Sequence, residues 1–284
     1  MNGREGKGGR GKGGRGKGDT ALPRARKRFG QHFLEPAWVA KLVDAVNPEP
    51  TDTFLEIGPG RGALTRVLAP RVARVIAVEI DRDLVAALPS RVPSNVHVIE
   101  GDFLEMDVSS VIAGEPLPLR AIGNLPYNVA SPILFALLDA ADEGRVFRDA
   151  TLMLQKEVAD RLAASPRSRD YGALAIQVAL LATVERLLTL PPGAFRPPPK
   201  VTSAVVRLSF HPPVVDVGDR SIFERLVRGI FLQRRKTVLN ALVPVAAALD
   251  RSAPDLVARA GIDGSKRPEA LDLEELARLS RAVL

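Results

Sequence analysis

Hydrophobic residues follow two rhythms along this chain, and the change between them divides it. From Trp38 to Leu154, short apolar runs alternate with segments of helical spacing. Trp38–Val46 predicts a helix, Thr53–Ile57 a strand that stops at Gly58, and Ala63–Leu68 a helix. Arg74–Val78 predicts a strand, Leu84–Leu88 a helix, and Val96–Ile99 a strand. Leu119–Ile122 predicts a strand ending at Asn124, Pro132–Leu138 a helix, and Thr151–Leu154 a strand. Such alternation builds a mostly parallel sheet with helices on both faces, because parallel neighbours need crossover connections. Val184–Leu188 and Ser203–Leu208 then flank the Pro-rich loop Pro191–Lys200. They need no crossover helix, so they predict an antiparallel hairpin at one sheet edge. From about Asp216 the pattern is helical, in Ile222–Phe231, Thr237–Val243, Leu256–Ala260 and Leu271–Val283. The expected organisation is a tail over residues 1–20, an α/β domain over 21–212 and a small helical domain over 213–284.

Composition sharpens this picture in two places. The net charge is +7, but residues 1–18 hold six basic side chains against Glu5 alone. That Gly/Lys/Arg repeat buries nothing and predicts a disordered basic tail, either a solubility tail or an RNA-tethering arm. The remainder is only mildly basic, so a nucleic-acid partner must be met by local patches. The absence of cysteine excludes disulfides and thiolate metal sites. His32, His97 and His211 lack metal-ligand spacing, so no metal is expected. The basic start is not followed by an apolar run, as a secretory leader requires. The longest apolar stretch, Tyr171–Val184, is broken by Gln177 and falls short of the roughly 18 residues that suggest a membrane span. The cytoplasm and no membrane association are therefore expected.

The strand ends carry the chemistry. Thr53–Ile57 runs into Gly58-Pro59-Gly60-Arg61-Gly62, and a strand, Gly-rich turn and helix form the first unit of a nucleotide-binding sheet. The next strand ends at Glu79, 21 residues after Gly58, where a carboxylate can accept hydrogen bonds from both ribose hydroxyls. The third ends at Gly101-Asp102-Phe103, where Asp102 can accept from an adenine amino group or simply cap the next segment. These features alone leave a nicotinamide dehydrogenase and a methyltransferase both open. The G-x-G-x-G spacing, in place of G-x-G-x-x-G, counts modestly against the dinucleotide.

Asn124-Leu125-Pro126-Tyr127 follows the fourth strand on the same edge. The lone pair of an adenine N6 is delocalised into the ring, and it becomes nucleophilic only as the nitrogen turns tetrahedral. Two acceptors against its two N–H bonds favour that geometry and the positive charge that develops. Asn124 can supply a side-chain carbonyl and Leu125 a backbone carbonyl, with Pro126 fixing φ between them and Tyr127. Tyr127 can stack on a flipped-out base. The bland alternative is an Asx turn before proline with a buried tyrosine.

From residue 27 to about 245 the chain resembles the ribosomal RNA adenine N6-dimethyltransferases, most closely their bacterial small-subunit branch. The matching stretches are Lys27–Leu34, Glu56–Gly60, Val78–Asp81, Gly101-Asp102, Gly123–Asn128, Phe195–Val206 and Phe231–Leu239. The resemblance implies a Rossmann-like class I methyltransferase fold and S-adenosyl-L-methionine as cofactor. It implies cofactor contacts from His32, Leu34, Gly58, Gly60, Glu79, Asp102 and Asn124. His32 stands where that family often has Asn. The resemblance also implies that Asn124, Leu125, Pro126 and Tyr127 are catalytic, with Phe195 facing Tyr127 across the target base. It further implies N6,N6-dimethylation of two adjacent adenosines in the 3′-terminal hairpin of small-subunit rRNA, on an immature 30S particle, by a monomer. Gln233-Arg234-Arg235-Lys236 reads as an RNA phosphate contact or as a solvated helix face. The rivals are the macrolide-resistance methyltransferases acting on large-subunit rRNA and a non-catalytic nucleic-acid-binding assembly factor on the same fold. The FRPPPKVTSAVV and QRRKT stretches favour the small-subunit branch, and the intact Glu79, Asp102 and Asn-Leu-Pro-Tyr set argues against lost activity.

Overall fold

A computed structural model describes residues 32–284, so the Gly/Lys/Arg tail, the Arg24–Arg28 cluster and Phe29–Gln31 lie outside the described residues. The chain begins with a two-residue strand, β1 (Phe33–Leu34), followed by α1 (Pro36–Val46). Then come β2 (Thr53–Ile57), α2 (Ala63–Leu68), β3 (Arg74–Glu79), α3 (Arg82–Ala87), β4 (Val96–Glu100) and α4 (Val108–Val111). The series continues with β5 (Leu119–Asn124), α5 (Ala130–Gly144), β6 (Phe147–Gln155), α6 (Lys156–Leu162) and α7 (Ala173–Leu181). β7 (Ala182–Leu190), β8 (Phe195–Arg196) and β9 (Ser203–Phe210) follow, then α8 (Arg220–Leu232), α9 (Val238–Ala247), α10 (Ala253–Ala260) and α11 (Leu273–Arg281). Among the described residues no helix is long and apolar enough to cross a membrane.

The main sheet runs β4-β3-β2-β5-β6-β9-β7, with β2 to β6 parallel and β9 antiparallel to both β6 and β7. Alternation along each strand sorts its side chains between two cores. Phe54, Val75, Ala77, Ile122, Met153 and Val205 face α1 and α2, while Leu55, Ile57, Ile76, Val78, Ala121, Leu152 and Val206 face the opposite layer. That opposite layer contains α5 and α7, and it continues without a break into Phe223, Leu226, Leu242, Leu256 and Leu276 of the C-terminal helices. The C-terminal helices are thus a third layer sharing the core of the sheet. Arg220, at the start of α8, ties that layer to α5 through Asp139 (2.8 Å) and Asp142 (2.6 Å).

Helix α7 was not foreseen by periodicity, for a physical reason. Seven of its nine residues, Leu174–Val178 with Leu180 and Leu181, are buried, because it is covered on one side by the sheet and on the other by the C-terminal layer. A helix that is apolar all round has no stripe to detect.

A buried ion cluster pins the opposite edge of the sheet from the turns described below. The Arg120 guanidinium, 4% exposed, donates to Asp52 (2.9 Å) and Asp149 (3.0 Å) and lies over the Phe54 ring. It also donates to the carbonyls of Val46 (3.0 Å) and Asn47 (3.3 Å), while Arg207 donates to those of Ala45 (2.8 Å) and Val46 (3.0 Å). Two cations thus satisfy the orphan carbonyls at the C-terminus of α1, where the helix dipole favours positive charge. Removing Arg120 leaves the buried Asp52 and Asp149 with only the half-exposed Arg148, at 3.2 and 3.4 Å, and bares the α1 carbonyls it capped. Arg120→Ala is therefore expected to lower stability by about 3–5 kcal/mol, read as a shift of the urea midpoint at unchanged slope. A loss below about 1 kcal/mol would show that the cluster is solvated like a surface pair.

Candidate active site

The parallel strands β2, β3, β4 and β5 end side by side, and their turns open into one cavity of about 1300 Å³, its mouth included. Open α/β sheets bind ligands at this carboxyl edge. Gly58 and Gly60 turn with φ of +69° and +60°, a conformation that side chains resist. A Cβ on Gly58 would project into open space, so the backbone there is accessible to a ligand. A Cβ on Gly60 would press to 3.2 Å from the Phe33 ring, so this glycine lets the N-terminal segment close down.

Glu79 is held from both sides. Its Oε2 accepts from the Gly60 N–H and its Oε1 from the Asp81 N–H, each at 2.9 Å. Each carboxylate oxygen keeps a second lone pair, the acceptor set that a pair of vicinal hydroxyls requires. Burial pushes the Glu79 carboxyl up, the two backbone N–H groups pull it down, and Asp81 nearby raises it again. The Leu104 N–H fixes Asp102 through Oδ1 at 3.0 Å. Asp102 therefore caps the segment that follows, its bland reading, and it lines the cavity as well.

At the end of β5, the Asn124 Nδ2 donates to the His32 carbonyl at 2.8 Å. Its Oδ1 is thereby the amide atom left to accept. Leu125 is buried, and Pro126 and Tyr127 line the same cavity. The Tyr127 hydroxyl bonds to Ser203 Oγ at 2.6 Å, which fixes the ring. Burial raises the Tyr127 phenol, and the Ser203 bond lowers it in part.

The cavity is roofed by a pairing that no periodicity announced. β1 and β8 form a two-stranded antiparallel sheet with Phe33 opposite Arg196 and Leu34 opposite Phe195. Glu35 N–H donates to the Ala194 carbonyl at 2.9 Å, Arg196 pairs with Glu35 at 3.2 Å, and His32 Nδ1 bonds to the Pro197 carbonyl at 2.8 Å. His32 and Leu34 accordingly line the cavity with Gly58, Gly60, Glu79, Asp102 and Asn124.

Phe195 does not join them. Its side chain is 1% exposed and packs in the α1-side core with Leu34, Met153 and Val205, and it is absent from the cavity wall. Its backbone builds the roof while its ring anchors that roof to the core. Arg234 also differs from expectation. It pairs with Glu269 at 2.7 Å and with the Arg169 carbonyl at 3.1 Å, which leaves Arg235 and Lys236 as the exposed cations of that run.

Three sets of wall residues escaped sequence reasoning. Ile80 and Leu104 are 48% and 39% exposed, apolar faces directly beyond Glu79 and beside Asp102. Their position after the acidic residues was the available clue. Ile133 and Met153 form part of the wall from α5 and β6, where nothing in the sequence distinguishes them from core. Glu56 is the third. It is buried beside the Gly-rich turn, and its Oε2 finds no hydrogen-bond partner among the described residues.

A family model described as ribosomal RNA adenine dimethylase matches residues 23–278. The chain belongs to that family. A relative from Geobacter metallireducens, named ribosomal RNA small subunit methyltransferase A, is 46% identical over 271 residues, 92% of this chain and 96% of the relative. One of the same name from Acinetobacter baylyi is 44% identical over 261 residues, 90% and 92% of the two chains. Among solved structures, a dimethyladenosine transferase from Plasmodium falciparum superposes with a TM-score of 0.71 at 26% identity, over 87% of this chain and 96% of that one. The 23S rRNA methyltransferase ErmE superposes with a TM-score of 0.62, also at 26% identity, over 88% and 99%. Membership agrees with the class I methyltransferase fold that the resemblance implies, where the strand and turn pattern alone left a dehydrogenase open.

Glu56 gives a direct test of the site's electrostatics. Burial, countered by the neighbouring Thr65 hydroxyl and reinforced by the Glu79 carboxylate, raises its pKa from 4.5 to about 7. A folded-state pKa above the unfolded one means that the native protein holds the proton more tightly. Stability is therefore greatest below pH 4.5 with respect to this group and falls as pH rises toward 7, by about 3 kcal/mol in all. Glu56→Gln is expected to remove that slope. Urea titrations of both proteins from pH 5 to pH 8 check it, and parallel pH profiles would refute the assignment.

Proposed function

We propose that this protein transfers methyl groups from S-adenosyl-L-methionine to the N6 atoms of two adjacent adenosines in the 3′-terminal hairpin of small-subunit rRNA. One observation carries the reading: Asn124-Leu125-Pro126-Tyr127 opens into the same cavity as Gly58, Glu79 and Asp102. The family description supports dimethylation of adenine, and the names of the 44–46% identical relatives support the small subunit. The expected setting is the cytoplasm, with an immature 30S particle as partner and a monomeric enzyme.

The residues present fit such a cofactor. The open face of Gly58 admits a close approach to the backbone, Glu79 offers its two remaining lone pairs to ribose hydroxyls, and Asp102 offers a carboxylate to an adenine amino group. Ile80 and Leu104 supply apolar surface for the ring. When bound, S-adenosyl-L-methionine supplies an electrophilic methyl group on a sulfonium. Asn124 Oδ1 and the Leu125 carbonyl accept the two N6–H bonds, which turns the nitrogen lone pair toward the cavity and stabilises its developing charge. Tyr127, fixed by Ser203, stacks on the flipped base and holds N6 in line. No strong base is needed, since the proton leaves after transfer. The exposed Arg235 and Lys236 suit RNA phosphates.

Asn124→Ala is expected to lower methyl transfer to immature 30S particles by about 100-fold or more while leaving RNA affinity largely intact. Labelled-methyl incorporation and a filter-binding titration check the two arms, and undiminished transfer would sink the mechanism. Incorporation into protein-free 23S rRNA, with none into 30S particles, would move the substrate to the large subunit.

A further inference from the structure

We propose that Met153 sets how many methyl groups the acceptor nitrogen receives: its side chain yields the space that the first N6-methyl group occupies while the second is transferred. The inference rests on the methyl-transfer reading and concerns only its second step. Adenine N6 begins with two N–H bonds, one for Asn124 Oδ1 and one for the Leu125 carbonyl. After one transfer, a methyl group stands where one of those hydrogens was. In the second transfer N6 forms a bond to the incoming methyl carbon. The carbon–sulfur bond breaks with its electron pair going to sulfur, and the last N6 proton leaves to water. That step occupies one acceptor, and the methyl group already present needs apolar room beside the other.

The two acceptors differ in what stands beside them. The Leu125 carbonyl is main chain, and Pro126 restricts the backbone that follows it. The Asn124 amide is a side chain with a soft terminal torsion. Along β5, Ile122 packs in the α1-side core, and Asn124, two residues on, falls on the same face of the sheet. In the parallel register of β5 and β6, Met153 is the partner of Asn124. Met153 packs in that same α1-side core, so the two side chains share a face on strands about 4.8 Å apart. Met153 is buried, yet it forms part of the cavity wall. Ile133, the wall residue contributed by α5, packs in the opposite core. The apolar side chain beside Asn124 in the sheet is therefore Met153. Its residue type suits the task. An unbranched thioether fills irregular space and refolds around a new group while its strand stays in place. A β-branched side chain of similar size is stiff at χ1 and lacks that freedom.

The test uses the full-length protein and reconstituted immature 30S particles. Their rRNA carries adenosine, N6-methyladenosine or N6-ethyladenosine at a target position, and nucleoside mass spectrometry counts the products of single turnovers. Met153→Ile is expected to leave transfer to adenosine near the wild-type rate. It should slow transfer to N6-methyladenosine by about 5- to 150-fold, the cost of one methyl group forced into a packed site, so that the singly methylated product accumulates. S-adenosyl-L-methionine affinity by calorimetry should stay unchanged. Met153→Ala enlarges the same space. Relative to adenosine, it is expected to methylate N6-ethyladenosine at least about 5-fold faster than the wild type does. A merely structural role predicts neither change of preference. Equal slowing of both transfers in Met153→Ile would overturn the proposal, as would weakened cofactor affinity with an unchanged product ratio. So would a Met153→Ala variant as closed to N6-ethyladenosine as the wild type, which decides the matter even where Met153→Ile folds poorly. Wild-type protein that methylated no adenine would instead overturn the parent reading, and this one with it.

Discussion

The cavity depends on a very short piece of secondary structure, the ladder between Phe33-Leu34 and Phe195-Arg196. Without it, the carboxyl edge of the sheet would be an open rim of turns. Two residue pairs cannot hold a roof by backbone bonds alone. The ladder persists because each strand continues into something rigid. Leu34 and Phe195 bury their side chains in the α1-side core, and Glu35 leads directly into α1. Helix α1 is in turn held at its far end by Arg120 and Arg207. A guanidinium at the amino edge of the sheet therefore helps to set the position of His32 at the carboxyl edge.

The two edges use charge in opposite ways. At the amino edge, Arg120 and Arg148 together meet Asp52 and Asp149, so the two buried carboxylates face two cations. At the carboxyl edge, the Glu79 carboxylate adds to the burial that raises Glu56, while backbone N–H groups hold Glu79. Burying a carboxyl whose Oε2 has no hydrogen-bond partner among the described residues costs stability, and burial is the main cause of the raised Glu56 pKa. That arrangement also leaves lone pairs for hydroxyl, amino and cationic groups of a ligand. A strained or under-satisfied region surrounded by over-satisfied structure is the usual pattern of a site.

The strands and turns of this site were legible because parallel β/α units force their ends to one edge. Once Thr53–Ile57 and Arg74–Val78 were strands, Gly58 and Glu79 had to be neighbours. The roof was not legible, because two-residue strands carry no period and their partners lie over 160 residues apart. Helix α7 hid for the opposite reason, its burial on all sides. Phe195 shows the limit of a motif. Its residue type and neighbours were read correctly, but whether an aromatic ring faces a cavity or the core depends on packing by Leu34, Met153 and Val205, which come from three other segments. Arg234 shows the same for charge, since Glu269 is 35 residues away in sequence.

The cavity by itself does not choose between ribosomal subunits. ErmE shares the fold over 88% of this chain, and a pocket built to present one adenine N6 is indifferent to the RNA it belongs to. Discrimination must then come from outside the cavity, and the topology brings a basic run toward the same edge of the sheet. Helix α8 starts on Asp139 and Asp142, where α5 ends at the amino edge. It finishes with Phe231 against Tyr171, at the head of α7, having crossed back toward the carboxyl edge. Arg235 and Lys236 follow immediately and are exposed, while Arg234 is tied to Glu269 and the Arg169 carbonyl. That tie anchors the basic run to the C-terminal layer. Phosphate contacts from such a run select an RNA by the distance from its backbone to its target base, a property of RNA shape and not of the adenine itself.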